Sequence, residues 1–323
     1  MGPRVSVVVP TFRRLDLLER CLHALRHQTL AREAVEVLVV DDGREDRVQA
    51  RVEALARSTG FVVRYLRPPP HGRGPAAARN TGWRAARGEI VAFTDDDTVP
   101  APDWLEHGLA ALQGGAAAAS GRVVVPVPRR PTDYERNVKG LERAEFVTAN
   151  CFVRHEALAR VGGFDERFRR AWREDSDLHF ALLRHYGSVV RADRAVVLHP
   201  VRPARWGVSL RDQANVLYDA LLYKKHPHLY RARIRRIPPW DYYVATAAAL
   251  GAPLAAVAGP RGIALSLGLL WAALTLRLAA TRLRGTSRAP AHLLEMIATS
   301  ALIPPLSVYW RMAGALRFRA PFV

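Results

Sequence analysis

Gly88-Glu-Ile-Val-Ala-Phe-Thr-Asp-Asp-Asp97 is the stretch on which the fold turns. Ile90 to Phe93 is too short an apolar run for a helix and fits a buried strand, and it leads straight into three consecutive carboxylates. Working back, Pro75 to Ala86 reads as a helix after a Gly-rich turn, and Phe61 to Leu66 as a strand stopped by Pro68 to Pro70. Val35 to Val40 is another strand, closed by Asp41-Asp42-Gly43 and followed by a polar helix that buries Val48, Val52 and Leu55. Arg4 to Val9 is the first strand. Pro10-Thr11 ends it, and Leu15, Leu18, Leu22 and Leu25 then recur at helical spacing.

Strand alternating with helix in this way predicts right-handed crossovers and an α/β fold. Its Rossmann-like, mostly parallel sheet would carry helices on both faces. In such sheets ligands bind at the carboxyl ends of the strands. Here those ends carry Pro10-Thr11, Asp41-Asp42-Gly43 and Asp95-Asp96-Asp97, so polar groups converge on one edge. Beyond residue 115 the pattern loosens. Strands are expected near Ala118 to Val125, Thr148 to Val153, Ser188 to Arg191 and Ala195 to Leu198, with helices over Arg173 to His185 and Leu210 to Lys225.

The 323-residue chain is 49% hydrophobic and 24% charged, which reads as globular, and its formal charge of +18 calls for an anionic partner. Nucleic acid fits poorly, because the basic clusters flank apolar runs while the polar strand ends are acidic. Cys21 and Cys151 lack metal-site spacing and are expected to be buried free thiols. The apolar run Val5 to Val9 is too short for a signal peptide.

The tail differs in kind. Tyr242 to Gly259 has no charge over eighteen residues and Gly262 to Leu276 none over fifteen. A straight crossing takes about 20 residues, so the first run is borderline and the second short. Arg231, Arg233, Arg235 and Arg236 precede the first run, and Arg277, Arg282, Arg284 and Arg288 follow the second. Only Arg261 lies between, which favours a hairpin with both ends inside. Met296 to Trp310, broken by Pro304-Pro305 and followed by Arg311, Arg317 and Arg319, suits an interfacial or re-entrant position. The expected organisation is a catalytic α/β domain over residues 1–230 and a basic, membrane-associated helical tail over 231–323. The membrane would carry anionic lipid, with the catalytic domain on the cytoplasmic side of the cell membrane.

Of the residues that can carry chemistry, the Asp triplet is the sharpest. Adjacent carboxylates resist ionising together without a cation, and hard oxygen ligands suit Mg²⁺ or Mn²⁺. A solvated acidic turn or a helix cap is the plainer alternative. Asp42 can accept hydrogen bonds from a base or ribose, although Asp-Gly is also ordinary turn chemistry. His71-Gly-Arg-Gly74 can lay amides and Arg73 against phosphate. Glu174-Asp175 opens a helix, as the dipole favours, and offers a general base for an acceptor hydroxyl. His199, at a strand end, is a candidate for metal or phosphate, or a structural histidine.

The segments Val5-Ser-Val-Val-Val-Pro-Thr-Phe-Arg13, Val39-Val-Asp-Asp-Gly43, Ala78-Arg-Asn-Thr-Gly82, Gly88 to Asp97, Gly162-Gly-Phe-Asp-Glu-Arg-Phe168 and Glu174-Asp-Ser-Asp-Leu178 together resemble family 2 glycosyltransferases. The resemblance covers roughly the first 200 residues. It implies a GT-A fold and inverting transfer from a nucleotide diphosphate sugar, usually with Mg²⁺ or Mn²⁺. It places Pro10, Thr11 and Asp42 at the nucleoside, Arg73 and Asn80 beside it, and Asp96 at the ribose. Asp97 would be the principal metal ligand, with Asp95 as a further participant. Asp175 would deprotonate the acceptor, next to Glu174, while Asn150, Gly163 and Phe164 would shape the sugar and acceptor side. The Gln-x-x-Arg-Trp signature of processive members is absent at Arg205-Trp206, which favours addition of a single sugar. UDP is the first expectation for the donor nucleotide, with dTDP and GDP open, and the acceptor would be a polyprenyl-linked or envelope glycan. A sugar-nucleotide nucleotidyltransferase is the alternative enzyme class. It would need a Gly-rich basic loop where Pro10-Thr-Phe-Arg-Arg14 stands.

Overall fold

The computed structural model describes residues 2–59 and 62–322. The chain forms two compact units: one runs to Pro126 and resumes over Lys139–Val201, the other takes Val127–Val138 and everything from Arg202. The first unit holds strands β1 (Val5–Thr11), β2 (Val35–Asp41), β3 (Val63–Leu66), β4 (Ile90–Phe93), β5 (Val99–Pro100), β6 (Ala118–Val124), β7 (Cys151–Arg154) and β8 (Val190–Leu198). They form one sheet in the order β3-β2-β1-β4-β7-β6-β8-β5. Phe61, the expected start of the third strand, lies outside the described residues.

Strand periodicity builds the core on both faces. Val5, Val7 and Val9 of β1 point to one side. There they meet Leu18, Leu22 and Leu25 of α1 (Leu15–Arg26), and Val48 and Val52 of α2 (Asp46–Thr59) join the same cluster. Val8 points the other way, into a cluster with Ala76, Ala78 and Trp83 of α3 (Pro75–Ala85). α4 (Trp104–Ala111) packs on the first face. On the second lie α6 (His155–Val161) and α7 (Glu174–Tyr186), while α5 (Asp133–Lys139) falls almost wholly in the second unit. Cys21 and Cys151 are free and buried, as expected.

The four strands β3-β2-β1-β4 are parallel. The far half is mixed: β7 runs antiparallel to both β4 and β6, and β5 antiparallel to β8. The two strands expected over 188–198 are one, β8, which pairs parallel with β6 across a register shift between Gly121 and Arg122. Asn150 fills that break. Its amide nitrogen donates to the carbonyls of Arg122 and Ala195, each at 2.9 Å, and a side chain at Gly121 would collide with it.

In the second unit the helix expected over 210–225 is interrupted. α8 (Val208–Asp212) passes through a 3₁₀ turn into α9 (Val216–Lys225), and α10 (Pro227–Arg233) follows. Then come α11 (Trp240–Ala258), α12 (Arg261–Leu283) and α13 (Pro290–Phe318), of 19, 23 and 29 residues, each long and apolar enough to cross a membrane. Pro304-Pro305 does not end α13. Arg282 of α12 is buried and fully bonded, giving two bonds to Asp133 (2.8 and 3.0 Å) and others to Thr299, Ser300 and Ser209.

Gly108 of α4 lies on the ring of Phe152, and a Cβ there would overlap it. Gly108→Ala is therefore expected to destabilise the first unit by about 1–3 kcal/mol, the usual cost of overpacking a closed core. Thermal unfolding checks it, and an unchanged midpoint would show that the Phe152 layer is loose.

Candidate active site

The carboxyl ends of β1, β2 and β4 deliver the expected residues to one edge. Thr11, buried at the end of β1, donates its hydroxyl to Asp96 at 2.7 Å. Asp42 follows β2 and accepts the backbone N–H of Gly74 at 2.9 Å, tying the strand end to the loop that enters α3. Its neighbour Asp41 is the turn former, accepting from the amides of Gly43 and Glu45 and from the Tyr65 hydroxyl. Pro10 is half-buried beside Thr11, and Arg73 is exposed on the loop before α3. Gly74 adopts φ 87°, and a Cβ there would stand 2.6 Å from the Arg169 carbonyl.

The Asp triplet is not a solvated turn. Asp96 and Asp97 are buried, and Asp95 is half-buried. Burial pushes the Asp96 carboxyl up to about 6; Arg14 and Thr11 pull it down, while Asp97 and Asp95 push it further up. Arg14 reaches Asp96 at 3.1 Å and Asp97 at 3.7 Å. On the other side, the buried guanidinium of Arg79 on α3 joins Asp95 (2.7 Å) to Glu174 (3.0 Å), the first residue of α7. Burial opposes the Arg79 charge, but Asp95 and Glu174 outweigh it and hold the guanidinium firmly protonated. Burial drives the carboxyls of both Glu174 and Asp175 up. Arg79 counters the rise at Glu174, and the Ser176 amide (2.6 Å) counters it at Asp175. One guanidinium therefore holds the edge of the sheet and the start of α7 in fixed relation.

Asp95, Asp97 and His199 each offer a ligand atom, and these atoms lie within 4.8 Å of one another. His199 follows β8, with its Nε2 3.6 Å from Asp97, too long for a hydrogen bond, and its buried Nδ1 makes none. Two hard carboxylates and an imidazole not committed elsewhere form a donor set that suits a divalent cation.

Four expected site residues have structural work. Asn80 is enclosed and fully bonded: its amide donates to the Phe164 carbonyl and to Glu166, and its oxygen accepts from Trp83 and the Phe164 amide. It staples α3 to the Gly162-Gly163-Phe164 turn and has no group left for a nucleoside. Asn150 donates into the β6–β8 break and accepts from Trp104 at 2.8 Å, so it serves the core rather than the sugar side. Phe164 is buried edge-on against Phe93 at 5.3 Å. Gly163 is required at φ 70°, where a Cβ would sit 2.5 Å from the Trp83 nitrogen. Arg14 and Arg79 were not singled out from the sequence. The only signal for them was the demand of three adjacent carboxylates for compensating charge.

The family model described as Glycosyl transferase family 2 matches residues 6–168, from β1 through the Gly163-Phe164 turn. The chain belongs to glycosyltransferase family 2. This glycosyltransferase is 30% identical over 227 residues to glycosyltransferase AglE of Haloferax volcanii, covering 66% of the chain and 72% of that protein. It is 29% identical over 224 residues to a validoxylamine A glucosyltransferase of Streptomyces hygroscopicus subsp. jinggangensis, covering 57% of the chain and 52% of the relative. Among solved structures, the mannosyltransferase PcManGT from Pyrobaculum calidifontis, in complex with GDP-Man and Mn²⁺, superposes with a TM-score of 0.57 at 23% identity. That match covers 93% of this chain and 87% of the other. The likeness shows the GT-A fold expected from the sequence.

Arg79→Leu would leave buried Glu174 and half-buried Asp95 without their cation, and is expected to cost about 3–5 kcal/mol. Arg79→Lys should recover only part of it, since an ammonium cannot bridge two carboxylates as a fork does. Thermal melts of both variants test this; equal stability of Arg79→Leu and the parent would mean the bridge contributes nothing.

Proposed function

We propose that this enzyme transfers a single sugar, with inversion, from a nucleotide diphosphate sugar to a lipid-linked or envelope glycan acceptor. The observation that carries the reading is the pair of carboxylate sites joined by Arg79. Asp95 and Asp97 stand with His199 at one end, Glu174 and Asp175 at the other. Thr11, Asp42 and Asp96 line the donor nucleoside side, and exposed Arg73 is free to meet phosphate. Asp97, Asp95 and His199 would hold Mg²⁺ or Mn²⁺, which when bound neutralises charge on the departing diphosphate.

Asp175 takes the proton of the acceptor hydroxyl, and the burial that raises its proton affinity makes it the stronger base. The acceptor oxygen then bonds to the anomeric carbon. The bond to the diphosphate oxygen breaks on the opposite face and its electron pair leaves with the nucleotide, inverting the centre.

The donor nucleotide is UDP, dTDP or GDP by chemistry alone. UDP is the first choice, and two structures of the fold were solved with GDP-Man and with UDP. Catalysis belongs to the domain over residues 1–230, and the basic apolar tail over 231–323 attaches it to the cell membrane. Anionic lipid answers the +18 charge, and the catalytic domain lies on the cytoplasmic side.

Donor turnover in detergent, with each nucleotide sugar in Mn²⁺ or Mg²⁺ and then in chelator, tests the class directly. Release of one nucleotide should require metal and vanish in Asp97→Ala. Transfer to acceptor should fall by roughly 10²–10⁴ in Asp175→Asn, the usual weight of a general base, with donor KM little changed. Metal-independent turnover, or full transfer by Asp175→Asn, would overturn the assignment.

A further inference from the structure

The second unit carries an unusual helix. α13 buries a face that mixes polar and small residues (His292, Thr299, Ser300, Ser307, Arg311, Gly314) with Met296, Ile303, Pro304 and Val308, at three- and four-residue spacing. Its opposite face exposes Leu294, Ile297, Leu302, Tyr309, Met312 and Leu316, from 48% to 78% accessible. The helix thus turns its polar residues inward among a few apolar ones and leaves a run of large apolar side chains outward.

What the inner face packs on decides what α13 can do. At one end Glu295 accepts the backbone N–H of Gly207 at 2.7 Å. At the other, the Lys224 ammonium donates to the Phe318 carbonyl at 2.7 Å. Between them Gly314 presses on α9 so closely that a Cβ would stand 2.5 Å from the Leu217 carbonyl. Past the helix, Phe322 lies under the Arg311 guanidinium at 3.9 Å and against Tyr223 and Tyr230. The segment thus paired with α13 holds Arg211, Asp212, Asp219, Lys224, Lys225, Arg231 and Arg233, in helices of 5, 10 and 7 residues. Such a segment cannot enter lipid.

From Glu295 to Phe318 is about 35 Å of helix, longer than the roughly 30 Å hydrocarbon core. If α13 crossed, one of its two anchored ends would drag charged backbone through the bilayer. The α11–α12 hairpin has no such companion along its middle. Among the described residues its side-chain tie to the rest of the unit lies near its base, where buried Arg282 bonds Asp133, Thr299 and Ser300, and Arg277 pairs with Asp241 across the hairpin itself at 3.0 Å.

We propose that α13 is an in-plane membrane helix. Its outer face lies in the headgroup and acyl boundary of an anionic bilayer, and the α11–α12 hairpin is the only part that penetrates the core. This rests on the membrane attachment proposed above and specifies its geometry. The occupant is lipid rather than a second copy of the chain. Exposed Arg288, Arg317 and Arg319 bracket the apolar face and would repel their own duplicates, whereas anionic headgroups satisfy them. Exposed Tyr309 beside Trp310 is the aromatic pair favoured at that depth.

The test labels single cysteines in the full chain with an environment-sensitive fluorophore, at Leu294, Leu302, Tyr309 and Leu316 on α13 and at Leu250 and Leu269 on the hairpin. The native thiols are buried. The protein is reconstituted in phosphatidylcholine–phosphatidylglycerol vesicles containing lipids brominated near the carbonyl or near the chain end. All four α13 sites are expected to be quenched about twofold or more better by the shallow bromines, and the hairpin sites better by the deep ones. Deep quenching at Leu302 and Tyr309 with shallow quenching at Leu294 and Leu316 would mean that α13 crosses, overturning this proposal but not membrane attachment. Quenching on the hairpin alone would give the α13 face to a protein partner and overturn it too. No quenching anywhere would remove membrane attachment itself.

Discussion

A buried guanidinium between two carboxylates is the contact on which the catalytic unit depends. Arg79 sits on α3, whose path is set by the sheet beneath it, and it reaches Asp95 after β4 and Glu174 at the head of α7. Burial pushes the Glu174 carboxyl up and opposes the Arg79 charge, and the two groups, with Asp95, compensate one another. The head of α7 is thereby held to α3 and the end of β4 at one edge of the sheet. The groups expected to act on the donor and on the acceptor hydroxyl inherit their relative placement from it.

Around that contact the site is strained toward function rather than stability. Asp96 is held at about 6 by burial and by its acidic neighbours, with Arg14 only partly compensating. Glu174 retains a buried oxygen with no hydrogen-bond partner, and so does His199 at Nδ1. Unsatisfied polar atoms and crowded like charges are costly in a resting protein. They make sense in a site that receives cations and phosphates, because ligand binding removes the penalty that the free protein carries.

The asparagines show the opposite economy. Asn80 and Asn150 have the residue type of a ligand-binding group, and the sequence pattern around Asn80 is that of the family. Both are wholly occupied inside the protein, one fastening a glycine turn and the other filling a three-residue slip between β6 and β8. Their effect on any substrate is through the backbone they hold. A polar side chain at a strand end is thus an ambiguous sign until its partners are known.

Short periodic signals and end groups were legible in the sequence. The alternation of strand and helix over the first hundred residues, the Asp triplet at a strand end, and the uncharged runs of the tail are local properties, set by side-chain period and by the cost of burying backbone or charge. The tertiary structure decided what depends on partners far along the chain. It set the antiparallel direction of β7, the pairing of Arg14 with Asp96 and of Arg79 with Glu174, 82 and 95 residues away, and the survival of α13 through Pro304-Pro305. Two prolines in a helix cost about 3 kcal/mol each in isolation. The packing of Ile303, Pro304, Ser307 and Gly314 against the rest of the unit works against that cost, and no window of sequence contains both sides of such a contact.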